Sequence, residues 1–134
     1  MTATRRDAIV LFAHGARDPA WGVPLERLAA LLAEHRPSTV IVRAFLELQT
    51  PTLDEAVARL LNEGPATVVV MPVFWARAGH VAHELDPAVE VLRGRHPESS
   101  FDILPVLSEL PGLLETIAAT VAKQLTEIDD QRTS

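Results

Sequence analysis

The chain has 134 residues, is 48% apolar and carries a formal charge of −6 at neutral pH, which fits one globular domain and excludes a disordered chain. No apolar run approaches the roughly 20 residues of a membrane helix, and the acidic balance argues against nucleic-acid binding, which needs a basic surface. Cysteine is absent, so disulfides, thiolate zinc sites and cysteine-held iron–sulfur clusters are excluded, and a metal must be held by nitrogen and oxygen donors. Residues 1–7 lead directly into an apolar run, which leaves no room for a secretory signal, and the composition fits the cytoplasm. An anionic small molecule stays open, because local arginines can oppose the global charge. Arg17, Arg43 and Arg77 fall near predicted strand ends.

Residues 8–13 form the first predicted strand, a continuous apolar run as expected of a strand covered on both faces. A helix follows over about 19–35, with Trp21, Leu25, Leu28 and Leu32 on one stripe and Pro37 ending it; this puts Trp21 in the core. The second strand spans 39–46. Thr52 and Glu55 make a capping-box pattern ahead of Leu53, Ala56, Val57, Leu60 and Leu61 at helical spacing, and Gly64-Pro65 stops that helix. The third strand is about 66–74. Asp86-Pro87 resembles an N-cap with proline at the first helical position, and Leu85, Val89 and Leu92 supply the buried face. Residues 101–106 make the fourth strand. A last helix from about Pro111 carries Leu114, Ile117, Val121, Leu125 and Ile128, and residues 129–134 read as a frayed tail.

Four strands alternating with helices predict a single α/β domain over residues 1–134, with a parallel sheet, right-handed crossovers and helices on both faces. The strand order 2-1-3-4 is preferred, since it sets the first and third strands side by side at the centre. The halves also look alike. Glu34-His35-Arg36-Pro37 and Phe45-Leu46-Glu47-Leu48 parallel Gly94-Arg95-His96-Pro97 and Leu107-Ser108-Glu109-Leu110. That suggests two related βαβα units, with His14 and His80, and Glu47 and Glu109, in related places.

His14-Gly15 follows the first strand and Gly79-His80 the third. Ligands of an open parallel sheet collect outside the carboxyl ends of the strands, so this order points both imidazoles into one crevice. Two imidazoles there indicate a metal or proton-transfer site, and Glu47, just past the second strand, is the best carboxylate to complete an N,N,O set. His83 is a nearby competitor that would share a helix face with His80, and it reads as an exposed helix-entry residue. His35 and His96 sit at helix ends, where the dipole accounts for them. Trp21 and Trp75 could each face a flat ligand; the apolar stripe favours the core for Trp21, and Trp75 lies at the mouth of the third strand. No glycine-rich dinucleotide or Walker loop and no Gly-x-Ser-x-Gly elbow occurs. Ala13 stands where a histidine phosphatase would want arginine, which disfavours phosphoryl transfer.

Three blocks in order give the chain its resemblance, over most of residues 8–120, to the short sirohydrochlorin chelatases, the CbiX/SirB group of class II tetrapyrrole chelatases. His14-Gly15-Ala16-Arg17 resembles the family's His-Gly-Ser-Arg opening. Phe45-Leu46-Glu47 with Pro51-Thr52-Leu53 resembles its Phe-Leu-Glu and Pro-Ser-Leu. Pro72-Val73-Phe74-Trp75 with Gly79-His80-Val81 resembles its third block. The resemblance implies a chelatase-like domain that inserts a divalent ion (cobalt or ferrous iron, with nickel as a further candidate) into sirohydrochlorin, in cobalamin or siroheme biosynthesis. It also implies a homodimer with no tightly bound cofactor, no nucleic-acid partner and no membrane partner. It assigns His14 and His80 as catalytic proton acceptors or metal contacts and Glu47 as a metal contact, while Arg17, Trp75 and Arg77 become candidate substrate contacts. Ala16 in place of serine, and Glu84 ahead of a proline displaced by one residue, depart from the family pattern. The rival expectation is a carrier that binds metal or tetrapyrrole without turnover.

Overall fold

A computed structural model describes residues 6–77 and 80–133, with the side chains of 80–82 outside the description. Four parallel strands, β1 (Arg6–Ala13), β2 (Val40–Phe45), β3 (Ala66–Pro72) and β4 (Ser100–Ile103), lie in the order β2-β1-β3-β4. The helices are α1 (Val23–His35), α2 (Leu53–Leu61), α3 (His80–Arg95) and α4 (Leu113–Thr133). The predicted order is the observed one, and in it β1 is hydrogen-bonded on both sides. Ile9 lies opposite Ile41 of β2 and opposite Val69 of β3.

The chain moves from β1 outward to β2 in one direction and from β3 outward to β4 in the other. Because both crossovers are right-handed, the helices that make them fall on opposite faces. Leu25 of α1 packs with Leu11 and Phe45 on one face. On the other, α2 and α3 send Leu53, Val57, Leu60, Val89 and Leu92 against Val10, Phe12, Val68 and Val70. Successive strand residues point to opposite faces, so Val10 and Leu11 are both fully buried on different sides of the sheet. Each such side chain contributes about 1.5–3 kcal/mol. That burial is why β1 reads as an unbroken apolar run.

Three expectations are corrected. Trp21 does not lie on the buried stripe of α1; it is 75% exposed, on a 3-10 turn over Pro19–Gly22. Asp18 caps this turn by accepting the Ala20 N–H at 2.9 Å, and Pro24 near the first position of α1 begins a new helix. A 3-10 turn winds with three residues per turn rather than 3.6, so the rotational phase shifts and Trp21 swings outward. Asp86-Pro87 is no N-cap either, because α3 already begins at His80 and Pro87 is inside it. Leu85, Val89 and Leu92 are all buried at helical spacing, so the helix is wound before Asp86, which instead ion-pairs with Arg77 at 3.4 Å. The last helix continues to Thr133, across the stretch read as a tail.

The capping box of α2 is present. The Thr52 hydroxyl accepts the Glu55 N–H at 3.2 Å, and the Thr52 N–H donates to the Glu55 carboxylate at 3.0 Å. Arg6 closes the other end of α2, donating to the carbonyls of Leu60 at 2.6 Å and Gly64 at 2.8 Å. The Thr52 backbone N–H, and then its hydroxyl, hold the Glu55 carboxyl below its ordinary pKa. A depressed carboxyl stabilises the fold above the ordinary carboxylate range, and the contribution disappears as pH falls through its folded-state value. Thr52→Ala is expected to lower unfolding stability by about 1 kcal/mol at neutral pH. Glu55→Gln removes the carboxylate that accepts the Thr52 N–H, so urea titrations should find that variant's loss smaller at about pH 3 than at about pH 7; an equal loss at both pH values would exclude the reciprocal cap.

Candidate functional site

The β1–β2 ladder runs on past the strands. Leu46 N–H donates to the Ala13 carbonyl at 2.9 Å, and Glu47 N–H to that of His14 at 3.1 Å. These two bonds seat Glu47 beside His14. Gly15 makes the approach possible: its φ is +95°, and a Cβ there would sit 1.9 Å from the Glu47 carbonyl oxygen. The loop after β2 turns back through Leu48, whose φ is +66°. It is tied to the first loop by the Gln49 side chain, which accepts the Ala16 N–H at 2.9 Å.

At this mouth, His14 Nδ1 and Glu47 Oε1 stand 3.5 Å apart, with both side chains more than half exposed. Two donors that bind one ion at about 2.0–2.2 Å, at tetrahedral or octahedral angles, stand roughly 3.0–3.5 Å apart. The spacing therefore fits a shared cation without a direct hydrogen bond between the groups. Phe74, just past β3, meets the His14 ring edge-on with centroids 6.0 Å apart and also packs on Phe12. The Val73 N–H donates to the Phe12 carbonyl at 2.7 Å, so the ends of β1 and β3 do converge. His80 opens α3, but its side chain lies outside the described residues, as does Gly79. Among the described residues, no group of three histidine, aspartate or glutamate side chains could hold a metal; His14 and Glu47 form a pair.

A cleft of about 330 Å³ adjoins His14 and is walled by Trp21, Pro24, Leu25, Leu28 and Val73, with Gln49 at its polar side. Apolar walls beside a polar pair suit the face of a flat ring held with its centre at the donors. Sequence reasoning weighed Trp21 against a flat ligand but favoured the core, and it missed Gln49 as a wall residue. The signal for Trp21 was the run Pro19 to Pro24, which breaks the helix before the stripe begins; Gln49 carried none.

The remaining candidates separate. Arg17 is exposed, three residues after His14 in the loop that follows β1, and makes no ion pair among the described residues. Trp75 is 58% exposed at the β3 mouth. Arg77 is held by Asp86 and Arg43 by Glu26 at 3.0 Å. His83 is exposed in the first turn of α3, and Glu84 lines a second cleft between α2 and α3 with Asp54. The half-repeat is real but offset from the residues expected. Leu107 and Ser108 N–H groups donate to the Phe74 and Trp75 carbonyls, each at 2.9 Å, just as Leu46 and Glu47 do to Ala13 and His14. Trp75 therefore takes the place related to His14, and Ser108, rather than Glu109, the place related to Glu47.

An open parallel α/β sheet with an imidazole–carboxylate pair at its carboxyl edge, beside an apolar cleft, defines the class. The chain belongs to the CbiX family, which it matches over residues 8–124. It is 27% identical over 90 residues to the sirohydrochlorin cobaltochelatase of Methanocaldococcus jannaschii, an alignment covering 67% of this chain and spanning 63% of that relative's length. A CbiX protein from Marinobacter aquaeolei VT8 superposes with a TM-score of 0.77 at 29% identity, over 92% of this chain and 98% of that one. SirB from Bacillus subtilis, solved with Fe3+, shares the fold with a TM-score of 0.66 at 22% identity, over 76% of this chain and 40% of that one.

Gly15→Ala is expected to lower stability by about 2 kcal/mol or more, since it adds left-handed strain to a backbone collision. Urea unfolding measures the loss, and a change within about 0.5 kcal/mol, the range of ordinary surface substitutions, would show that the two loops separate freely.

Proposed function

We propose that this chain is a metal–tetrapyrrole lyase that inserts a divalent ion, cobalt or ferrous iron with nickel also compatible, into sirohydrochlorin in cobalamin or siroheme biosynthesis. The observation that carries this reading is the 3.5 Å separation of His14 Nδ1 and Glu47 Oε1 at the lip of an apolar cleft. The names of the relatives and the family membership support the substrate class.

Insertion releases two pyrrolic protons and strips the incoming ion of competing ligands. A neutral imidazole can bind the ion through nitrogen or accept a proton. The Glu47 carboxylate adds negative charge, which holds the ion and stabilises a protonated neighbour. His80 is proposed as the second nitrogen donor and proton acceptor, entering from the start of α3. Arg17 would orient a substrate carboxylate by charge-assisted bonds, with Trp75 stacking beside the ring and Arg77 offering a further charge once released from Asp86. Holding the macrocycle against the apolar wall positions its nitrogens toward the donors. The reading takes the chain as one chelatase-like domain, paired as a homodimer and working in the cytoplasm. It needs no tightly bound cofactor, because the metal is a substrate, and no nucleic-acid or membrane partner. Among the described residues no helix is long and apolar enough to cross a membrane.

The test is insertion into metal-free sirohydrochlorin, followed by absorbance with cobalt, ferrous iron and nickel in parallel. His14→Ala should lower the rate by about 100-fold or more, and Glu47→Gln by roughly 10-fold, in proteins with parental circular dichroism. Parental rates in both variants would remove the pair from the mechanism. Stoichiometric binding by the parent chain, with no acceleration over the protein-free control, would replace the enzyme with a carrier.

A further inference from the structure

Outside α4, the large apolar side chains that are more than half exposed among the described residues are Trp21, Val23, Leu48 and Trp75. All lie at the carboxyl end of the sheet, in or just after the loops that follow β1, β2 and β3. Val23 opens α1; the other three stand one step from the His14–Glu47 pair. Trp21 walls the cleft that His14 also lines. Leu48 directly follows Glu47. Trp75 directly follows Phe74, whose ring meets that of His14. A single exposed apolar residue is ordinary on a protein surface, but here three successive strand ends each place one beside the same polar pair.

Leu48 is the most informative of the three. Its φ is +66°, in the left-handed region where a Cβ crowds the backbone and glycine or asparagine is the ordinary choice. Glycine fills the other positive-φ positions among the described residues. A leucine here strains the backbone, and at 56% exposed it recovers little of that through burial. Strained residues of this kind gather at ligand sites. The fold is weakened by Leu48 on both counts, and a ligand that covers the side chain offsets both.

The chemistry of the surroundings selects that ligand. A protein surface laid over this rim would bury the His14 imidazole and the Glu47 carboxylate, and burying ionisable groups without partners is costly. A planar tetrapyrrole suits the polar centre and the apolar rim together. Its inner nitrogens and the incoming ion face the pair, while its π face covers the apolar side chains, an indole among them. The cleft beside His14 holds about 330 Å³, the low end for small-ligand pockets. A four-ring macrocycle extends beyond it, so part of its face rests on side chains outside the cleft, where Leu48 stands.

We propose that Leu48 and Trp21 hold the face of the tetrapyrrole at the His14–Glu47 pair, and that the strained conformation of Leu48 is kept for this contact; the inference rests on the proposed insertion reading and adds these two residues to it. Asparagine adopts positive φ readily and removes the apolar contact, so Leu48→Asn separates folding from binding. Its urea midpoint is expected to equal or exceed the parent's. Its KM for sirohydrochlorin should rise about 10-fold, with its Kd for cobalt alone unchanged. Trp21→Ala should raise the same KM by about 10-fold, and Trp21→Phe, which keeps a ring to stack, should recover most of the loss. Quenching of tryptophan emission by metal-free sirohydrochlorin measures ring binding without turnover. A parent chain that neither binds nor inserts overturns the insertion reading and the ring contact together. A parent that inserts, with parental KM in both Leu48→Asn and Trp21→Ala, overturns the contact and leaves insertion standing. A urea midpoint that falls in Leu48→Asn assigns that leucine to the fold and overturns its part. Binding without insertion, weakened in both variants, replaces the enzyme with a carrier and keeps the contact.

Discussion

Two backbone hydrogen bonds, Leu46 to Ala13 and Glu47 to His14, hold the candidate site in place. They extend the β1–β2 ladder one step past the point where the strands end, so an imidazole and a carboxylate from segments about thirty residues apart are positioned by main chain rather than by flexible side-chain contacts. The extension exists only because residue 15 has no Cβ. Any other residue would drive an atom into the Glu47 carbonyl, and the loops would have to part. Gln49 ties the same two loops a second time. Main-chain placement matters here because the pair is half-exposed, and exposed side chains held only by each other contribute little to their own positioning.

The same stitch recurs at the other half of the sheet, where Leu107 and Ser108 bond to Phe74 and Trp75. The turns that precede β2 and β4 repeat as well: Thr39 bonds to Arg36 and Ser99 to His96. One backbone plan is therefore used twice, with different side chains mounted on it. The first copy presents His14 and Glu47; the second presents Trp75 and Ser108, an aromatic face and a hydroxyl. A ring-shaped ligand lying across the two mouths would meet ionisable donors on one side and a stacking surface on the other.

The repeat also sharpens what is unusual about α4. Its counterpart α2 buries Leu53, Ala56, Val57 and Leu60 in the core, whereas α4 buries nothing and keeps an apolar stripe of its own. An amphipathic helix gains most of its stability in proteins from covering that stripe, and α4 leaves its own uncovered within the chain.

The sequence by itself determined the alternation of elements, the parallel sheet, the capping box of α2 and the motif positions of His14 and Glu47. Those follow from local signals: period-two and period-3.6 hydrophobicity, a Thr-x-x-Glu cap, and the rule that ligands gather at strand ends. The strand order was preferred on the same grounds, but pairing decided it. Only tertiary structure decided the outward turn of Trp21, the early start of α3, and the equivalence of Ser108, not Glu109, with Glu47. Each of these depends on something no local window contains. A proline-bounded turn changes the phase of a helix, burial of Leu85 winds a helix past its apparent cap, and ladder register assigns partners by hydrogen bonding rather than by residue type. The 3.5 Å gap between His14 and Glu47 belongs to this second group, because it depends on where two strands stop relative to each other.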